Sequence, residues 1–143
     1  MPHLTIDHAR TILDAALAEA VGRGFKPLAV AVLDARGALK AFAAQDGTSL
    51  KRGEIARGKA DGALAMGVGS RGLATMAAER PSFVAAVTHA VGGSLVPAPG
   101  GVLVMQDGEV VGAVGVSGDL SDNDEICAVA GIEAAGLKAD PGA

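Results

Sequence analysis

Two turn signals, each set between short apolar runs, do most to limit the folds open to this chain. Asp34-Ala35-Arg36-Gly37 separates Leu28–Leu33 from Ala38–Ala43, and Asp107-Gly108 separates Val102–Gln106 from Glu109–Ser117. Asp-Gly between apolar segments is a strong hairpin signal. Hairpins join antiparallel neighbours directly, whereas parallel strands need long crossovers. The sequence therefore predicts an antiparallel sheet, with Asp46-Gly47 closing the first hairpin and Ser94–Val96 adding a short strand.

Around the hairpins the apolar spacing becomes helical. Ile6, Ala9, Leu13, Ala16, Leu17 and Ala20 fall on one face of a helix from Ile6 to Val21, with Thr5 as N-cap and Gly22 and Gly24 closing it. A second helix is expected over Ser49–Met66. Shorter ones follow over Arg71–Ala78 and over Ser82–Ala90, behind Pro81. A last helix is expected after Ser121, with Asp124 as a variant capping-box partner, ending near Lys138 before a frayed Asp140–Ala143 tail. The order is helix, hairpin, helices, hairpin, helix. It predicts an α/β chain of the α+β kind, one domain over 1–143, with helices covering one face of the sheet.

Composition narrows what such a domain does. The 143 residues include 21 glycines, three Phe and no Trp or Tyr, so elements must pack closely through small side chains. A net charge of −4 with no basic run argues against nucleic acid as a partner. Residues 81–106 carry no Asp, Glu, Lys or Arg, but Gly92, Gly93, Pro97, Pro99, Gly100 and Gly101 interrupt them too often for a membrane helix. Met1–Thr5 lacks the pattern of a signal peptide. The lone Cys127 excludes an intrachain disulfide and is compatible with a cytoplasmic location. Small residues lie all round the last helix (Ala128, Ala130, Gly131, Ala134, Ala135, Gly136), which predicts a homo-oligomer with a second subunit covering one side.

Among candidate site residues Lys59 stands out. It falls between Ile55, Ala56 and Ala63 on the apolar face of the second helix, with Glu54, Arg57 and Asp61 opposite. A buried lysine needs a partner: an acidic ligand or a carboxylate, unless its stem snorkels to water. Gly92-Gly93 reads as a loop that a ligand can approach. Gly112-x-x-Gly115-x-x-Gly118 is explained by a crossing helix or a ligand. Asp124 belongs to an acidic run at a helix start and could also reach a pocket. His8 and His89 have no zinc spacing around them, so no metal site is expected; His89 abuts the glycine loop. Ser70 and Ser117 lack a nucleophile elbow.

Several of these stretches resemble the GlcG/HbpS family of haem-binding or haem-degrading domains. They are Val30-Ala-Val-Leu-Asp34-x-x-Gly37, Asp46-Gly47, Ala56-Arg-Gly-Lys59-Ala60, Gly92-Gly93, Gly108-x-Val110-Val-Gly112-Ala-Val-Gly115-Val-Ser-Gly118 and Asp124. The resemblance covers nearly the whole chain in order. It implies a profilin-like antiparallel sheet flanked by helices, and an oligomer. It also implies a small ligand, with haem or another tetrapyrrole as the cofactor class. Where many relatives carry an arginine before the Asp-Gly pair, this chain has Ala43 and Ala44. On this resemblance Lys59 would neutralise a ligand carboxylate, Gly92, Gly93, Ser117 and Asp46 would contact the ligand, and His8 or His89 would ligate iron. The site is expected where the Gly92-Gly93 loop meets Ser117 and the start of the last helix, with Lys59 and Asp124 facing one cavity. Two alternatives stay open. One is a catabolic enzyme acting on a small organic acid by isomerase, hydratase or lyase chemistry, with Lys59 orienting substrate and Asp124, Glu54 or His89 moving protons. The other is an accessory or assembly protein without a ligand.

Overall fold

Both hairpins form where the turn signals place them. In the computed structural model, which describes residues 2–142, β1 (Ala29–Asp34) pairs with β2 (Leu39–Ala44), and β3 (Gly101–Gln106) with β4 (Glu109–Ser117). The Asp34 carboxylate fixes the first turn by accepting the backbone N–H groups of Arg36 and Ala38 at 2.9 and 3.1 Å. The hairpins join through β1 and β4, in register from Ala29 opposite Ser117 to Asp34 opposite Gly112. The sheet is antiparallel throughout, in the order β2-β1-β4-β3-β5.

The fifth strand corrects the expectation for the C-terminus. The last helix, α5, stops at Ala134, and Gly136 turns the chain at φ 75°. Lys138–Asp140 then forms β5 on the free edge of β3. Three residues of weak strand propensity are held there because β3 offers unpaired backbone groups. Ala143, part of the expected frayed tail, lies outside the described residues. Ser94–Val96 forms no strand; instead the Val96 N–H donates to the Gly58 carbonyl at 3.1 Å.

The helices are α1 (Ile6–Arg23), α2 (Arg52–Met66), α3 (Ser70–Glu79), α4 (Pro81–Ala90) and α5 (Ser121–Ala134). Thr5 caps α1: its hydroxyl accepts the His8 N–H at 3.0 Å, and its own N–H donates to His8 Nδ1 at 3.4 Å. Gly24 closes α1 at φ 70°. Helices cover both faces of the sheet, not one as expected. Val30, Val32, Val102, Val104, Val114 and Val116 pack with Ala9, Ile12, Ala16, Cys127 and Ile132 of α1 and α5. Alternate positions Leu33, Leu103 and Ala113 meet Ala60 and Ala63 of α2. α1 packs against one side of α5, where Gly131 leaves no side chain between α5 and the Ile12 carbonyl, and Ile126, Val129 and Ala130 of α5 stay half-buried.

Glycine sets how close α2 lies to the sheet. Gly101 and Gly115 are cross-strand partners on β3 and β4. A Cβ on Gly115 would collide with the Ala56 carbonyl, and one on Gly101 with that of Lys59. Helix backbone therefore rests almost directly on strand backbone. α3 and α4 pack differently: Leu73, Val84 and Leu95 form a small core of their own beside α2, fringed by Met66, Val68, Met76 and Val87.

Candidate functional site

Lys59 is 2% exposed, and its stem has no route to water. Its ammonium donates to the Val116 carbonyl at 2.9 Å and to Asp124 Oδ2 at 3.1 Å. Asp124, 1% exposed, accepts the Asp119 N–H on its other oxygen at 3.0 Å. Burial pushes the Lys59 ammonium down from its ordinary range and the Asp124 carboxyl up, and each charge holds back the other's shift. Ser121 starts α5 without capping it, and Asp124 turns inward to Lys59 in place of the expected capping-box contact. Ser117 is fully buried and accepts from Arg52 Nη1 at 3.2 Å.

The Gly92-Gly93 loop lies elsewhere. It borders a concavity of about 590 Å³ whose wall also includes Glu54, Arg57, Gly58, Asp61 and Val96. Neither Lys59, Asp124 nor Ser117 lines it, which corrects the expectation of one shared cavity. The reason is helical phase. Lys59 points into the sheet, while Glu54, Arg57 and Asp61 occupy the outer face of α2. Gly92 and Gly93 have φ 92° and 95°, and a Cβ on either would meet nothing within 4 Å. Positive φ explains the glycines, and open space explains why a ligand can approach them.

A second concavity, about 440 Å³, adjoins the first: Asp61 and Ser94 belong to the walls of both. The Ser94 hydroxyl donates to Asp61 Oδ2 at 2.7 Å, and Arg57 Nε donates to the same oxygen at 3.3 Å. Arg57 also reaches the Gly37 carbonyl at 3.0 Å, across to the first hairpin turn. The two concavities thus lie side by side over the outer edge of α2, as two lobes of a trough divided at the Asp61–Ser94 hydrogen bond.

Of the other expected site residues, His89 is exposed on the last turn of α4, and its carbonyl accepts the Gly92 N–H at 3.1 Å. Glu54 pairs with Lys51 at the trough's rim. Asp46 is exposed in the turn after β2, and His8 is engaged in capping α1; neither lines the trough. Sequence reasoning missed Arg57, Asp61 and Ser94. The signal was present in the four-residue spacing of Arg57 and Asp61 on the face opposite Lys59. What was hidden was that the loop after α4 folds back over that face.

Fold and site define an α+β protein with helices on both faces of an antiparallel sheet and a ligand-sized trough along one helix. The crystal structure of HbpS is similar in fold, at TM-score 0.80 and 29% identity over 93% of this chain and 90% of that one. The crystal structure of the PduOC–haem complex gives TM-score 0.85 over 95% of this chain and 97% of that one, at 24% identity. Klebsiella pneumoniae protein ORFY gives 0.86 over 95% and 93%, at 20% identity. At those two identities the likeness is one of fold. The family pattern described as haem degrading protein HbpS-like matches residues 4–133, and the chain belongs to that family. No curated protein sequence matches it.

Proposed function

We propose that this chain is a small-ligand-binding protein of the HbpS-like family, that its ligand sits in the trough over α2, and that haem or another tetrapyrrole is the ligand class. The trough is the observation that carries the reading. Each of its lobes, about 590 and 440 Å³, falls within the size range of ligand pockets. Gly58, Gly92, Gly93, Leu95 and Val96 present backbone and aliphatic surface to the flat face of a ligand. Arg57 supplies a cation in the wall, and the exposed His89, three residues before Gly92 and outside the walls of both lobes, is the candidate nitrogen donor for iron. These residues fit a haem in kind: aliphatic floor, cationic edge, imidazole nearby. Family membership and the likeness to a haem complex support the same class. In this reading Lys59 and Asp124 position the floor, because their pairing fixes α2 against β4 and α5.

Visible absorption of the purified protein titrated with haemin tests the reading. The expected result is a saturable Soret shift that Gly93→Val removes and His89→Ala moves, with far-ultraviolet circular dichroism unchanged in both. A chain that gives no shift, or variants that bind like the parent, would sink it.

A further inference from the structure

We propose that the smaller lobe of the trough is a carboxylate-binding subsite, with Arg36 as its principal cation and Arg57 as the second, so that an acid-bearing ligand is held in one orientation. This rests on the ligand-binding reading above and adds to it the polarity of the ligand. The two lobes differ in kind. The larger one offers Gly92, Gly93, Leu95 and Val96, with Glu54 at its rim. The smaller one is walled by Arg36, Gly37, Leu64, Ala65, Val91 and the shared Asp61–Ser94 bridge. An anionic end placed in the larger lobe faces Arg57 with Glu54 beside it; placed in the smaller lobe it faces Arg36, and the already bonded Asp61 borders both.

Each acidic group near the smaller lobe is already engaged. Asp61 accepts from both Arg57 and Ser94. Asp34 lies under the turn, where it accepts the backbone N–H groups of Arg36 and Ala38. Among the described residues the Arg36 guanidinium has one long contact, to Asp34 at 3.4 Å; its side chain is 83% exposed and stands between this lobe and a neighbouring concavity that Asp34 and Lys40 also line. The same Asp34 bonds hold the backbone of Arg36 in place, so its side chain starts from a fixed root. Arg57 spans the lobes, lining the larger and bonding the Gly37 carbonyl of the smaller. Arginine forms two parallel hydrogen bonds to a carboxylate, which an ammonium group cannot reproduce.

Titration with haemin and with haemin dimethyl ester, which keeps the macrocycle and loses both carboxylates, tests this in one detergent-containing buffer. Wild-type protein is expected to prefer haemin by about tenfold, the effect of one or two charge-assisted hydrogen bonds at an open site. Arg36→Gln should weaken haemin binding about fivefold, leave ester binding unchanged, and so erase most of the preference. Arg36→Lys should restore only part of it. Equal binding of acid and ester, or an Arg36→Gln variant with the full preference, overturns the subsite while leaving the ligand-binding reading standing. Absence of binding by both compounds overturns that reading and the subsite with it.

Discussion

Lys59 on α2 and Asp124 on α5 lie 3.1 Å apart, although their helices pack on opposite faces of the sheet. The contact is made at the end of β4, where Lys59 also bonds the Val116 carbonyl. One ion pair therefore ties together both helical layers and the central strand.

Removing only the cation should be costly. Lys59→Met leaves the Asp124 carboxylate buried without its counter-ion, and the expected loss is about 3–5 kcal/mol of unfolding free energy. Lys59→Met combined with Asp124→Leu removes both charges and should recover much of that loss. Urea denaturation of the three proteins gives the comparison. A single variant no worse than the double one would mean that pairing is not what the site needs.

Two glycines should respond oppositely to alanine. At Gly115 a Cβ strikes the Ala56 carbonyl, so Gly115→Ala must push α2 off the sheet, at a cost of roughly 1–3 kcal/mol or more. Gly22, within α1, has open space around it and no unusual φ, so Gly22→Ala should stabilise by about 0.5–1 kcal/mol. Thermal melts that rank the two variants the other way would contradict the close approach of α2.

Asp119 supplies a pH signature. The Lys26 N–H, the Asn123 amide and the Leu120 N–H all donate to its carboxylate, and these bonds hold its pKa below the usual 3.8. A depressed carboxyl pKa adds stability that is fully present above the unfolded value and is lost as pH falls through the folded one. The stability advantage of wild type over Asp119→Asn should thus hold from neutral pH down to about 4, near the unfolded carboxyl range, and shrink below it. Unfolding curves between pH 2 and 7 measure this; a gap independent of pH would count against it.

The protein should self-associate. Leu50 is 90% exposed and Leu120 73%, and Phe42 on the edge strand β2 is 45% exposed. Light scattering at micromolar concentration is expected to report a mass that is a multiple of 14.0 kDa. A monomer would show that these side chains are simply solvated.

Much of this architecture is legible in the sequence, and the misses have physical causes. Asp34–Gly37 and Asp107-Gly108 mark turns whose chemistry is local, so both hairpins are readable. Coverage of the sheet is not local. Val30-Ala31-Val32-Leu33 is continuously apolar, which is what burial on both faces looks like; hairpins alone pointed to one covered face. β5 rests on Lys138-Ala139-Asp140, whose composition says nothing of a strand; only the free edge of β3 decides it. Lys59 was legible as a buried cation from its place on the apolar face. Its partner Asp124, 65 residues away, could be named but not placed, since that required knowing that α2 and α5 meet at the end of β4.

The small core of Leu73, Val84 and Leu95 bears on how the molecule breathes. Helix α4 is held by this cluster rather than by the sheet, with Val84 as its one buried residue. Segments with few buried contacts open without global unfolding, so amide hydrogens of α4 should exchange with solvent well before those of β4. The segment that follows α4 forms one wall of the trough. A molecule pressed against Leu95 and Val96 would clamp that wall, and occupancy could then be read as slowed exchange along α4 back to its first turns, far from the molecule itself.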